Sequence, residues 1–205
     1  MQMKEIEGLA IKLRRAAGAN DEAIISLVDV IVHWMGRRSV ERVDSLAGRA
    51  TLVTVNERSR IMIRRGAPDL RFATAHEFGH WAFRNVARVT FLGMDEEKAA
   101  NIFAAAILAP QSLVRRAYEF FGEDTKEIAD QLCLSQTSVV LRLGEVRGDP
   151  RAVVTRTGHV FTRNADATFT SQRASAAARG KPSRGLAKAR LRGGIDEGRV
   201  ALRAV

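Results

Sequence analysis

Two histidines four residues apart, with a glutamate directly after the first, stand inside an otherwise apolar stretch. His76-Glu77-Phe78-Gly79-His80 is preceded by Phe72-Ala73-Thr74-Ala75 and followed by Trp81-Ala82-Phe83. If this stretch is a helix, residues four apart lie about 40° from one another around its axis, so both imidazoles leave the same face. A buried helix carrying two imidazoles and a carboxylate is costly unless something satisfies them. One divalent ion gripped by both rings would do so, with nitrogens about 2.0–2.1 Å from it. Glu77 lies at the edge of the same face, where it could take a proton from a water activated by that ion. The alternative is a hydrogen-bonded pair of core histidines with a glutamate at the surface.

A zinc site of this kind needs a third protein ligand and leaves one position open. The chain has one cysteine, Cys133, which excludes every cysteine-based zinc motif and any internal disulfide. A histidine six residues after the second is also absent, because position 86 is Val86. The next helical pattern opens with Asp95-Glu96-Glu97, and Glu97, Asn101, Ala104 and Leu108 fall on one face of it. Glu97 is therefore the preferred third ligand, with Glu96 the alternative, Asp95 the helix cap and Asn101 a hydrogen-bonding support for a ligand. Ala99, Ala100, Ala104, Ala105 and Ala106 would let two helices approach closely enough to share an ion.

The rest of the chain reads as α+β. Helical patterns at 3–17 and 22–36, the second capped by Asp21, precede short β-rich runs at 40–46, 50–55 and 60–64, which suit a small meander, the three-stranded sheet being antiparallel or mixed. A helix from about 70 to 85 follows, capped by Asp69. Another runs from Asp95 to Pro110, and shorter helical patterns follow Ser112, Asp124 and Ser135. Residues 151–155 and 159–163 could pair as a hairpin. The expectation is a mostly helical domain over 1–164 with a small sheet, followed by a disordered basic tail over 165–205.

Charge locates to that tail. The net charge is +10, and residues 171–205 supply +7 of it, so the body is nearly balanced. A nucleic-acid reading on charge alone applies to the tail and not to the body. No stretch approaches the ~20 apolar residues of a membrane span. Acids at Glu5 and Glu7 stand where a secretory signal would be basic and then apolar, so the expected location is the cytoplasm.

Four blocks, in order and spacing, resemble the ImmA/IrrE family of metallopeptidases. They are Arg71 to His80, Glu97 to Ala104, Ile107-Leu108-Ala109-Pro110, and Ile128 to Leu143. Phe78 departs from the usual leucine and Ala109 from a common methionine. The resemblance implies a zincin-like core with His76, His80 and Glu97 holding Zn2+ and Glu77 as catalyst. It implies a zinc metallo-endopeptidase that acts on a protein substrate, a partner DNA-binding repressor or antitoxin, in stress-response or toxin–antitoxin circuits. The competing expectation is a regulator with little or no turnover, binding a repressor or DNA. The segment 125–146 resembles a helix-turn-helix, with Gln136, Thr137 and Ser138 at the start of its second helix and Arg142 as its base. Packing is favoured over DNA contact for it. Trp34 and Trp81 read as core anchors, His33 as partly buried, Cys133 as a small buried residue, and Tyr118 as a packing residue with an oxyanion role as the rival.

Overall fold

A computed structural model describes residues 3–87 and 95–148, together with the backbone of five strands between 151 and 203. The fold is α+β and mostly helical. The chain packs as two compact units, Met1–Leu113 and Val114–Val205, where the sequence suggested one domain to 164 and a tail.

In the first unit, helix α1 (Met3–Ala16) buries Ile6, Ala10 and Leu13 at helical spacing and packs on α4 (Glu96–Leu108). Arg14 on α1 is fully buried, which requires that each donor find an acceptor. Its Nη1 donates to Ile107 O at 2.8 Å and its Nε to Asn20 O at 3.1 Å, and its Nη2 donates to Asn20 O and Ala23 O. Burial pulls this guanidinium down to about 10, so it remains charged at neutral pH. Asp21 is engaged by Arg15 Nε at 2.7 Å and caps no helix. Helix α2 (Leu27–Met35) begins later than the sequence suggested, with Ser26 as its cap. Trp34 ties α2 to α1 by donating to Leu13 O at 3.0 Å, whereas His33 is exposed rather than partly buried.

The small sheet has the order β1-β3-β2 and is mixed, not a meander. Strands β2 (Ala50–Val55) and β3 (Arg58–Arg64) form a hairpin closed by Asn56 and Glu57, both at positive φ (48° and 63°) as a two-residue turn between twisted strands requires. Strand β1 (Val40–Val43) pairs parallel to β3 on its other side. A parallel partner for β1 could not be read from spacing, because the short linker to β2 suggested the next strand as neighbour. Ile61 and Ile63 of the central strand point into the core. Among the described residues no strand pairs with the other edge of β2, which lies beside helix α3 (Leu70–Ala82).

Asp69 is the N-cap residue of α3 as expected, but it is left-handed (φ 53°) and makes no side-chain cap bond, its carboxylate pairing with Arg49 at 3.5 Å. Helix α3 ends three residues earlier than read and passes into a π-helical turn, Phe83–Ala87. Asp95 caps α4 as expected, its Oδ1 accepting from Glu97 N at 3.2 Å.

In the second unit, α5 (Gln111–Phe121), which begins just before the boundary, α6 (Thr125–Leu132) and α7 (Gln136–Arg147) precede a five-stranded sheet ordered β6-β5-β4-β8-β7. Strands β4 (Arg151–Val154) and β5 (His159–Arg163) form the hairpin anticipated from sequence. Strands β6 (Phe169–Arg173), β7 (Arg190–Leu191) and β8 (Val200–Arg203) fall within the stretch read as a tail. The pairing of β8 with β4 joins residues about fifty apart, which local periodicity does not report. The remainder of 165–205 lies outside the described residues. No helix among the described residues is long and apolar enough to cross a membrane.

Candidate metal centre

The site is built where α3 and α4 approach most closely, and Gly79 sets that approach. A Cβ at Gly79 would lie 3.0 Å from Cδ1 of Phe103, 3.3 Å from its Cγ and 3.4 Å from Cα of Ala100. Phe103 packs edge-on against both Phe78 and Phe83, at centroid distances of 5.8 and 5.7 Å, so the contact is rigid on the α4 side. Trp81 stacks on Phe78 at 5.5 Å and seals the far side of α3. With the helices this close, the first two turns of α4 lie over His76 and His80.

Three side chains from the two helices converge. Nε2 of His76 and Nε2 of His80 are 3.1 Å apart. Glu97 Oε2 lies 3.1 Å from the first and Glu97 Oε1 lies 3.2 Å from the second. Tetrahedral ligands about 2.0–2.1 Å from one ion would be separated by about 3.3 Å, so the three groups stand nearly at coordination spacing. His76, His80 and Glu97 form a group that could hold a metal ion.

The hydrogen bonds on the other ring nitrogens decide what these atoms are. Nδ1 of His76 meets Asn101 Oδ1 at 3.0 Å, and Nδ1 of His80 meets Glu96 Oε1 at 2.7 Å. Both partners are acceptors, so each Nδ1 serves as the donor, and a neutral ring held this way presents its Nε2 lone pair to the other side. With neutral rings, two imidazole lone pairs and a carboxylate face a common point, an arrangement that suits a cation. Glu96 is in turn met by Arg84 Nη2 at 3.2 Å. The hydrogen bond from His80, with help from Arg84, holds the Glu96 carboxyl below the usual carboxylate range.

Glu77 points elsewhere. Its Oε2 accepts from the backbone amide of Leu52 at 2.8 Å, which fixes the carboxylate against the open edge of β2. Leu52 is one of the alternate β2 residues whose amide and carbonyl face away from β3: Arg64 N donates to Arg49 O, and the pairing alternates from there along Thr51 and Val53. The base candidate therefore stands next to the ion-binding group along α3, turned towards the edge of β2.

His76, His80 and Glu97 are brought together, Glu77 is held against β2 instead, and Asn101 bonds His76 as the spacing suggested. Three contributors were not assigned these roles from sequence. Glu96 was weighed as a ligand and instead orients His80. Gly79 carried a usable signal, because a glycine inside an apolar helix costs about 1 kcal/mol relative to alanine and calls for a reason. The Leu52 amide carries no side-chain signal at all.

In the second unit, the polar groups of α6 and α7 close upon each other. Gln136 Nε2 donates to Thr125 Oγ1 at 2.9 Å, and the hydroxyls of Ser135 and Ser138 are 2.9 Å apart. Arg142, the base that a DNA-contacting reading would need, is 3% exposed and pairs with Glu145 at 2.5 Å, in line with the packing expected for this segment. Tyr118 donates to Glu123 Oε1 at 2.9 Å and lies under the Arg147 guanidinium at 4.1 Å, which is a packing role. Cys133 is exposed, not buried, because it occupies the left-handed position that ends α6, with φ 52°.

No protein-family model matches the chain, and no curated protein matches it. Among solved structures, the chain is similar to a Mycobacterium tuberculosis transcriptional regulator, with a TM-score of 0.55 and 18% identity over 84% of this chain. The match covers 56% of that regulator, so this chain spans little more than half its length. At this identity the likeness concerns the fold.

Proposed function

We propose that this protein is a zinc-dependent endopeptidase of the ImmA/IrrE type that cuts a protein substrate. The single observation that carries the proposal is the convergence of His76 Nε2, His80 Nε2 and the Glu97 carboxylate on one point, with hydrogen bonds on the opposite ring nitrogens. When bound, a zinc ion supplies a Lewis acid and brings water ionisation towards neutral pH. His76, His80 and Glu97 would hold it. The donor set of two imidazoles and one carboxylate suits zinc, and it leaves the open position that a hydrolytic site needs.

The chain's own residues supply the rest. Glu77 accepts a proton from the attacking water and returns it to the departing amine. Glu96 and Asn101 keep both histidines in the tautomer that exposes Nε2. The open edge of β2 offers backbone groups to an extended peptide, which would lay its scissile bond beside Glu77. Such an edge reads backbone, so the target is a strand-forming segment of a protein, and a DNA-binding repressor or antitoxin fits the family resemblance. A cytoplasmic location accompanies this role.

The second reading is a regulator with little turnover, and the similarity to a transcriptional regulator favours it. Its DNA-contacting form is disfavoured by the internal pairing of Gln136, Ser138 and Arg142. Incubating the zinc-loaded chain with a degenerate peptide library and sequencing the new termini separates the two. The expected result is cleavage by wild type and none by Glu77→Gln. Equal cleavage by both, or none by zinc-loaded wild type, contradicts the proposal.

A further inference from the structure

The stretch from Arg37 to Arg65 holds eight arginines, no lysine and three acids. Two of the acids are already taken, Glu41 by Arg60 at 3.2 Å and Asp44 by Arg65 at 3.1 Å. The small sheet therefore carries an excess of positive charge that its own carboxylates do not neutralise. Arg58 is exposed and has no hydrogen-bond or ion-pair partner among the described residues.

Register distributes this charge between the faces. Ile61 and Ile63 point into the core, so Arg58, Arg60 and Met62 lie on the outer face of β3. Val55 is directly opposite Arg58 and Val53 directly opposite Arg60, which puts both valines on that outer face too, next to the open edge. Val55 is 61% exposed, an apolar side chain with little cover.

A peptide strand added to β2 would continue the sheet, and every second side chain of it would join this outer face. The residue across from Val55 would lie about 10 Å from the backbone of Arg58, two strand spacings away. That gap suits a glutamate, whose methylenes cover Val55 and whose carboxylate meets the guanidinium. A lysine or arginine there meets like charge. Arg60 is balanced by Glu41, so the selection concentrates at Arg58.

We propose that the peptide segment bound along β2 carries carboxylates on its outward-facing residues, selected by Arg58 on the outer face of the sheet. This rests on the reading of β2 as the substrate-binding edge. A peptide is favoured over nucleic acid because the open edge demands a strand-forming backbone and residues 37–65 contain no aromatic side chain for base stacking.

The test is fluorescence anisotropy on the full, zinc-loaded chain with three labelled probes. Two are decapeptides of alternating valine, with glutamate or lysine at the intervening positions, and the third is a DNA duplex. The glutamate peptide should bind about tenfold tighter than the lysine peptide, and Arg58→Glu should reverse the order. Equal binding of the two peptides, binding of neither, or an order untouched by Arg58→Glu overturns the proposal. Loss of DNA binding in Arg58→Glu with the peptide order unchanged assigns the arginine to nucleic acid and overturns it equally. Binding order is independent of turnover, so a wild-type chain that discriminates by charge yet never cleaves rejects the peptidase reading alone.

Discussion

The α3–α4 pair and the α6–α7 pair each gather polar side chains where their second helix begins, and they resolve them in opposite ways. Along α7 the polar groups find complements: the Gln136 amide has the Thr125 hydroxyl, Ser138 has Ser135, and Arg142 has Glu145. At the start of α4 two ring nitrogens and a carboxylate converge on one point, and with neutral rings all three face it as acceptors. The outer bonds, from His80 to Glu96 and from His76 to Asn101, fix that mismatch in place. A closed set of donors and acceptors stabilises a fold, whereas a set rigidly held with only acceptors facing inward is built for a cation.

This contrast can be broken by substitution. The largest expected effect is on turnover: Glu77→Gln should lower peptide cleavage by about a thousandfold while metal content stays at the wild-type level, read by mass spectrometry of products and by elemental analysis. His76→Ala should weaken metal binding by more than about a hundredfold, since even partners behind a ligand are worth ten- to a hundredfold. Glu96→Gln removes the charge behind His80 and should cost about tenfold in zinc affinity, measured by competition with a chromophoric chelator. Gly79→Ala pushes a methyl against Phe103 and Ala100. It should lower stability by about 1–3 kcal/mol in denaturant titration and weaken zinc binding with it. The smallest effect belongs to the other pair. Gln136→Ala should cost about 1 kcal/mol of stability and leave zinc binding unchanged. A change in zinc affinity in that variant would erase the distinction between the two regions.

The histidine helix and its partner carboxylate were legible because i, i+4 spacing encodes a shared face and an acid-opened, alanine-rich helix encodes a close neighbour. Asp95 and Asn101 followed from the same geometry. What was not legible depends on contacts between distant segments. The parallel pairing of β1 with β3, the burial of Arg14 beneath Ile107 O, and the Leu52 amide on Glu77 all join residues whose local patterns carry no trace of the partner. Asp21 has the right chemistry for a cap, but α2 begins six residues later, behind Ser26, and Arg15 takes the Asp21 carboxylate. Asp69 holds the cap position of α3 without the side-chain bond, its carboxylate pairing with Arg49. Cys133 was misread because a helix-ending left-handed position is set by backbone geometry and not by how apolar the side chain is.

The most direct test of the central claim is zinc bound per chain after saturation and desalting, for wild type and for His80→Ala. The account predicts about one ion per chain in the wild type and less than about a tenth in the variant. A wild type without zinc, or a variant that keeps it, would contradict the reading of His76, His80 and Glu97 as one metal centre.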